Sequence, residues 1–167
     1  QRRERALSEV AELLGSPQEK VVEATSNTLD AIKRLRADLD YLRQVASRLK
    51  ADALLRDASD LRGVKLVMFS DSADAGFLIE VGNALSKLDG NTVAVMFSEV
   101  EGRLIIKAGD SAVARGVHAG RLASALSRVI GGGGGGEPYF GQGGGGDREK
   151  FSRADEHIRK AIMEQLG

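Results

Sequence analysis

Residues 131–146 hold eleven of the chain's 21 glycines, six from Gly131 to Gly136 and five more at Gly141 and Gly143 to Gly146. No other stretch limits the fold so sharply. Glycine brings no side chain to a core and loses the most backbone freedom when it is ordered. The tract must therefore be held by what flanks it, and helical patterns lie on both sides. Before it, about Gly116 to Ile130 reads as a helix. After it, about Asp147 to Leu166 reads as another, with Phe151, Ala154, Ile158 and Ile162 inward. The tract is thus expected to be a glycine-rich loop within one domain. A flexible linker is the ordinary meaning of such composition. Against it stand the specific insert Glu137-Pro138-Tyr139-Phe140, the following Gln142, and the absence of serine filler.

Successive amides without side chains can converge into an anion-binding nest. The tract also runs into a helix start, whose free N–H groups favour phosphate. Asp147 is a candidate cap there and would compete with an incoming anion. The Gly-Lys-Ser/Thr of a P-loop does not follow the glycines, and the spacing is not the dinucleotide fingerprint. These features favour a grip on a nucleic-acid backbone over catalysis.

Upstream, Leu7, Val10 and Leu14 mark a short helix ending at Gly15. Ser16, Pro17 and Glu19 predict a capped second start. From Pro17 to about Leu61, Val21, Thr25, Thr28, Ile32, Leu35, Leu39, Leu42, Ala46, Leu49 and Ala53 recur by fours and threes, a heptad seam. Such a helix is roughly 65 Å long. The first helix is too short to cover it, so a second copy is expected to, with Ile32, Leu35, Leu39, Leu42 and Leu49 as dimerisation residues. Packing on the chain's own globular part is the alternative.

Gly63 marks a change of texture. Val64 to Phe69 reads as a buried strand, Ser70-Asp71-Ser72 as capping residues, and Phe77, Leu78, Val81, Leu85 and Leu88 as the inner face of a helix. Thr92 to Phe97 is a second strand, parallel to the first given the helical crossover. Arg103 to Lys107 returns antiparallel after Glu101-Gly102. The fold class is α/β: a helical hairpin and coiled-coil arm over residues 1–62, then a small α/β domain with a mixed sheet and the glycine loop over 63–167.

The 24 basic and 24 acidic residues balance, so any polyanion must be bound by a local patch or by backbone donors. Lys107, Arg115, Arg121, Arg128, Arg148, Lys150 and Arg153 are candidates for such a patch. There are no cysteines and two histidines, His118 and His157, so no metal site and no catalytic set is expected. His118 reads as a nucleic-acid contact or an exposed structural residue, and His157 as a surface residue. Asp71, Asp74 and Glu80 fit capping and a solvated face better than acid–base chemistry. Tyr139 and Phe140 could stack on an unpaired base or plug the sheet edge. No apolar run is long enough to span a membrane. The start, Gln1-Arg2-Arg3-Glu4-Arg5, has neither Met nor an apolar signal and reads as part of something longer.

The stretch Gly116-Val117-His118-Ala119-Gly120-Arg121-Leu122-Ala123, then Ile130 and Gly131 to Gly136, Glu137-Pro138 and Gln142-Gly143-Gly144-Gly145, resembles the DHHA1-type domain that ends alanyl-tRNA synthetases. The resemblance covers residues 60 to 166. It implies a cytoplasmic accessory module that contacts the outer corner of tRNA(Ala), where D and T loops meet. It also implies a link between aminoacylation and editing, and dimerisation in some branches. RNA contacts would then come from Gly131, Gly132, Gly133, Gly134, Gly135, Gly136, Gln142, Gly143, Gly144 and Gly145, with Arg121, Lys150 and Tyr139. ATP, Mg and the editing-site zinc would belong to the parent enzyme, because those motifs are absent here. The helical arm suggests an archaeal-like branch. The related DHH phosphoesterases carry a histidine just after their glycines, where this chain has Glu137. A phosphoesterase substrate domain and a pure oligomerisation module are the two other readings.

Overall fold

The computed structural model describes residues 1–167 and divides them into two compact units, 1–43 and 44–167. In the first, α1 (Arg2–Leu13) ends at a left-handed Gly15, and Ala11 and Val21 are buried. The capping box expected from Ser16 and Glu19 does not form. The Ser16 hydroxyl donates to the Pro17 carbonyl, and Pro17 leads instead into a 3₁₀ turn, Gln18–Lys20. The long helix α2 therefore begins at Val21 and runs to Arg56. Ile32, Leu35, Leu39 and Leu42 are exposed along it, Leu35 by 66%.

Helix α2 stops short of Leu61. Ser59–Leu61 is instead strand β1, paired antiparallel with β2 (Val64–Asp71). Arg62 and Gly63 both have positive φ, which is what a two-residue hairpin turn of the primed type requires. The Asp60 carboxylate accepts the Gly63 amide at 2.9 Å and secures the turn. Folding back gives the 59–61 segment a ladder that continued helix would not.

The six-stranded sheet has the order β1-β2-β3-β4-β6-β5. Strand β2 is parallel to β3 (Thr92–Ser98) across the helix α3 (Ala75–Leu88), as the crossover length predicts. Strand β4 (Arg103–Ala108) returns antiparallel. The α3 cap is Asp74, whose carboxylate accepts the Phe77 amide at 2.8 Å, and not the 70–72 triplet, because β2 runs on through Asp71. Within α3, Leu78, Val81 and Leu85 are buried as expected, but Phe77 is only half-buried and Leu88 is 44% exposed.

Both sheet faces are covered. On one, Val67, Ala94, Met96 and Ile105 pack with α3 and with Ala51 near the end of α2. On the other, Val93, Val95, Phe97, Leu104 and Ile106 pack with three helices: α5 (Ala119–Ile130), α6 (Arg148–Ser152) and α7 (Asp155–Leu166). Phe97 and Phe151 stack with centroids 5.1 Å apart. The helix expected from Gly116 starts at Ala119, because Gly116 is left-handed, and a short α4 (Asp110–Ala114) precedes it. The last helix is two helices, broken at Arg153-Ala154, but Phe151, Ala154, Ile158 and Ile162 are all buried. No helix is long and apolar enough to cross a membrane.

Candidate nucleic-acid interface

The glycine tract is a β-hairpin, not a loop. Strand β5 (Gly133–Gly136) pairs antiparallel with β6 (Phe140–Gly144), and β6 pairs with β4, so the tract finishes the sheet. Glycine-only strands are poor on propensity alone. Here the ladder and the helix beneath outweigh that preference.

The hairpin rests on α5 by backbone contact. Ala119, Ala123 and Ser127 recur every four residues and present a shallow face. A side chain at Gly134 would stand 2.5 Å from Ser127 Oγ and 2.9 Å from the Ala123 carbonyl. One at Gly143 would overlap Ser127, and one at Gly141 would overlap the Ala119 carbonyl. Gly120 meets the Gly136 carbonyl in the same way. At the hairpin's open end, Gly132 has φ +83 and lies against Gly144, a conformation and an approach that suit glycine alone.

The Glu137–Phe140 insert is the hairpin's turn, closed by Glu137 N–H to the Phe140 carbonyl at 2.8 Å. Its carbonyls have further partners. Glu137 O accepts the Gly120 amide at 3.0 Å, Pro138 O accepts Ala119 at 2.8 Å, and Tyr139 O accepts Ala108 at 3.0 Å. The His118 ring accepts the Arg121 amide at 3.2 Å, so His118 is the α5 N-cap. The first amides of α5 are therefore satisfied internally. At α6 the Asp147 carboxylate accepts the Lys150 amide at 2.9 Å. The α5 start offers no free donors of the kind a phosphate nest needs, and at α6 the Asp147 carboxylate stands where an anion would sit.

What the hairpin does offer is its other face. Gly133, Gly135 and Gly144 have nothing within 4 Å of where a side chain would begin. None of the three has positive φ. They share that face with Gln142, opposite Gly135 in register, and with Phe140, which packs beside the α3 layer. Arg103, missed in the sequence, lies on it as well and donates to Gln142 Oε1 at 2.6 Å. Its signal was the strand alternation of β4, which puts Arg103, Ile105 and Lys107 on one side.

The predicted basic residues are dispersed. Arg148 pairs with Glu99 at 3.0 Å, and Glu99 also accepts the Ser70 hydroxyl. Lys150 is exposed on α6. Arg121 lines a depression with Glu164 and Gln165, and Arg115 is held by the Arg62 carbonyl. Tyr139 is 46% exposed at the hairpin turn. Among the acidic residues, Asp74 is a cap and Asp71 pairs with Lys50. The Lys50 ammonium holds the Asp71 carboxyl below its usual range, helped by the Ala73 amide. His157 is exposed, and no three His, Asp or Glu side chains are grouped to hold a metal ion.

The family profile described as the DHHA1 domain matches residues 63–164. Alanine–tRNA ligases of Methanococcoides burtonii and Acetivibrio thermocellus are 29% and 31% identical over 93% and 98% of the chain. The chain spans only 17% and 19% of those relatives. Among solved structures, the C-Ala domain from Aquifex aeolicus alanyl-tRNA synthetase superposes with a TM-score of 0.56 at 20% identity, over 64% of this chain and 97% of that one. RecJ from Thermus thermophilus, solved in complex with Mn2+, gives 0.61 at 13% identity, over 93% of this chain and 23% of that one. At such identities the two structures speak to the fold alone.

Proposed function

The chain belongs to the DHHA1 domain family, and from that premise we propose that it is the non-catalytic C-terminal region of a cytoplasmic alanine–tRNA ligase that binds the outer corner of tRNA(Ala). The ligase's ATP, Mg and zinc chemistry would lie outside this chain, and this module would hold one tRNA for both aminoacylation and editing. One observation carries the reading. Gly133, Gly135 and Gly144 have neither a packing neighbour nor a left-handed backbone to account for them. Glycine in a strand interior costs backbone entropy and marks a place where another backbone comes close. With no internal neighbour on that face, the approaching backbone is external. A flat peptide ledge with Gln142 and Arg103 suits shape recognition of folded RNA through phosphates and 2′-hydroxyls.

The test compares tRNA with a size-matched duplex at two salt concentrations, using the chain and a Gly133→Ala/Gly144→Ala variant. The expected result is a preference for tRNA that the variant loses while its thermal unfolding is unchanged. Equal binding of the two RNAs, with no effect of the variant, refutes the reading. The exposed stripe of Ile32, Leu35, Leu39, Leu42 and Leu49 supports self-association through α2. Sedimentation should show a dimer at micromolar concentration, and a persistent monomer rejects that part.

A further inference from the structure

Beyond the hairpin's tip the same face of the sheet continues into a depression of about 450 Å3, within the range of ordinary small-ligand sites. Lys107, Tyr139 and Asp110 line it on one side, and Asn83, Ser86 and Lys87 of α3 on the other. The register ties it to the ledge. Gly135 lies opposite Gln142, Gln142 opposite Ile105, and Phe140 opposite Lys107. Helix α3 passes directly over β4 here, since a side chain at Gly82 would stand 3.0 Å from Lys107 Cβ. That close approach pins the Lys107 stem and makes α3 a wall.

Neither Lys87 nor Lys107 has an ion-pair partner. Two lysines face one carboxylate, so the depression carries surplus positive charge in a chain that is neutral overall. Tyr139 is an exposed ring whose backbone is fixed at the Ala108 amide and whose neighbour Pro138 is fixed at Ala119. A preorganised aromatic beside uncompensated ammonium groups is the combination that binds a nucleobase and its phosphate together.

We propose that this depression is a subsite for one unpaired nucleotide of the RNA lying on the glycine ledge. The base stacks on Tyr139, Asn83 faces its edge, and the phosphate sits between Lys87 and Lys107. This rests on the RNA reading of the ledge and extends it to a splayed-out base, which a closed duplex cannot supply.

Three variants test it in the full chain: Tyr139→Ala, Lys87→Gln/Lys107→Gln and Asp110→Asn. The Gln replacement at Lys107 keeps the stem that packs under α3. Tyr139→Ala should weaken tRNA binding about ten-fold, the scale of one lost base stack, and leave blunt duplex binding unchanged. The lysine pair should lower the salt slope for tRNA by roughly 0.7–0.9 per lysine. Asp110→Asn should tighten tRNA binding a few-fold. Thermal unfolding of all three should match the parent chain. If tRNA binding and its salt slope are unmoved in these variants while the Gly133→Ala/Gly144→Ala variant loses tRNA preference, the subsite is wrong and the ledge stands. If the parent chain itself binds tRNA no better than duplex, both fall.

Discussion

The two faces of the glycine hairpin use the same residue for opposite reasons. On the inner face, Gly134, Gly141 and Gly143 are glycine because α5 leaves no room for anything else. On the outer face, Gly133, Gly135 and Gly144 have open space and ordinary backbone angles. One face is explained by the chain's own packing and the other is not. Composition treats all of them alike. Position relative to Ala119, Ala123 and Ser127 divides them into a packed and an open set, and substitutions should divide the same way.

The largest effect is expected where α5 and the hairpin touch backbone to backbone. Gly120→Ala drives a methyl into the Gly136 carbonyl, with no flexible side chain to yield. It should cost about 3 kcal/mol, the upper end of ordinary overpacking penalties, measured by urea unfolding. A loss under about 0.5 kcal/mol, the range of neutral surface changes, would show that the inner face is not tight. The outer face should respond in reverse. Gly135→Thr adds a β-branched residue at a half-buried strand position with open space before it, and should leave stability equal or slightly raised. The same change should weaken tRNA binding about ten-fold or more, the equivalent of roughly 1.4 kcal/mol. If Gly135→Thr unfolds the chain, the division between the faces is broken.

Much of this fold is legible from pattern. The apolar runs at Val64 and Thr92 and the crossover between them gave a parallel pair, and the spacing of Phe151, Ala154, Ile158 and Ile162 gave the buried side of the C-terminal helices. The misses have local causes. Ser59–Leu61 carries no strand signal of its own and becomes β1 because Arg62 and Gly63 turn left-handed. The glycine tract is harder still. A strand is recognised by alternating side chains, and β5 has none. Its register comes from β6, α5 and the turn carbonyls of Glu137 and Pro138, which are tertiary partners that no local window contains. The tract's place inside one folded unit could therefore be read from sequence, whereas its conformation and its two faces could not. Strand alternation put Arg103 on the side of Ile105 and Lys107, but only the register with β6 sets it beside Gln142, and only the path of α3 brings Lys87 to the depression.

The smallest effect should come from Ser127, where the inner face is imperfect. Its hydroxyl is buried to 1% exposure and has no hydrogen-bond partner, wedged where Gly134 and Gly143 approach α5. A buried hydroxyl without a partner pays its desolvation with no return, and alanine is the better helix former. Ser127→Ala should therefore raise stability by about 0.5–1 kcal/mol. It should also relieve Gly143→Ala, because Ser127 Oγ is the nearest atom a methyl at Gly143 would meet. A double-mutant cycle between the two sites should give a favourable coupling of about 0.5–1 kcal/mol, read from the same urea transitions. Additive behaviour would mean that the Gly133 carbonyl, the next atom at 3.0 Å, and not the serine, sets the limit on that face.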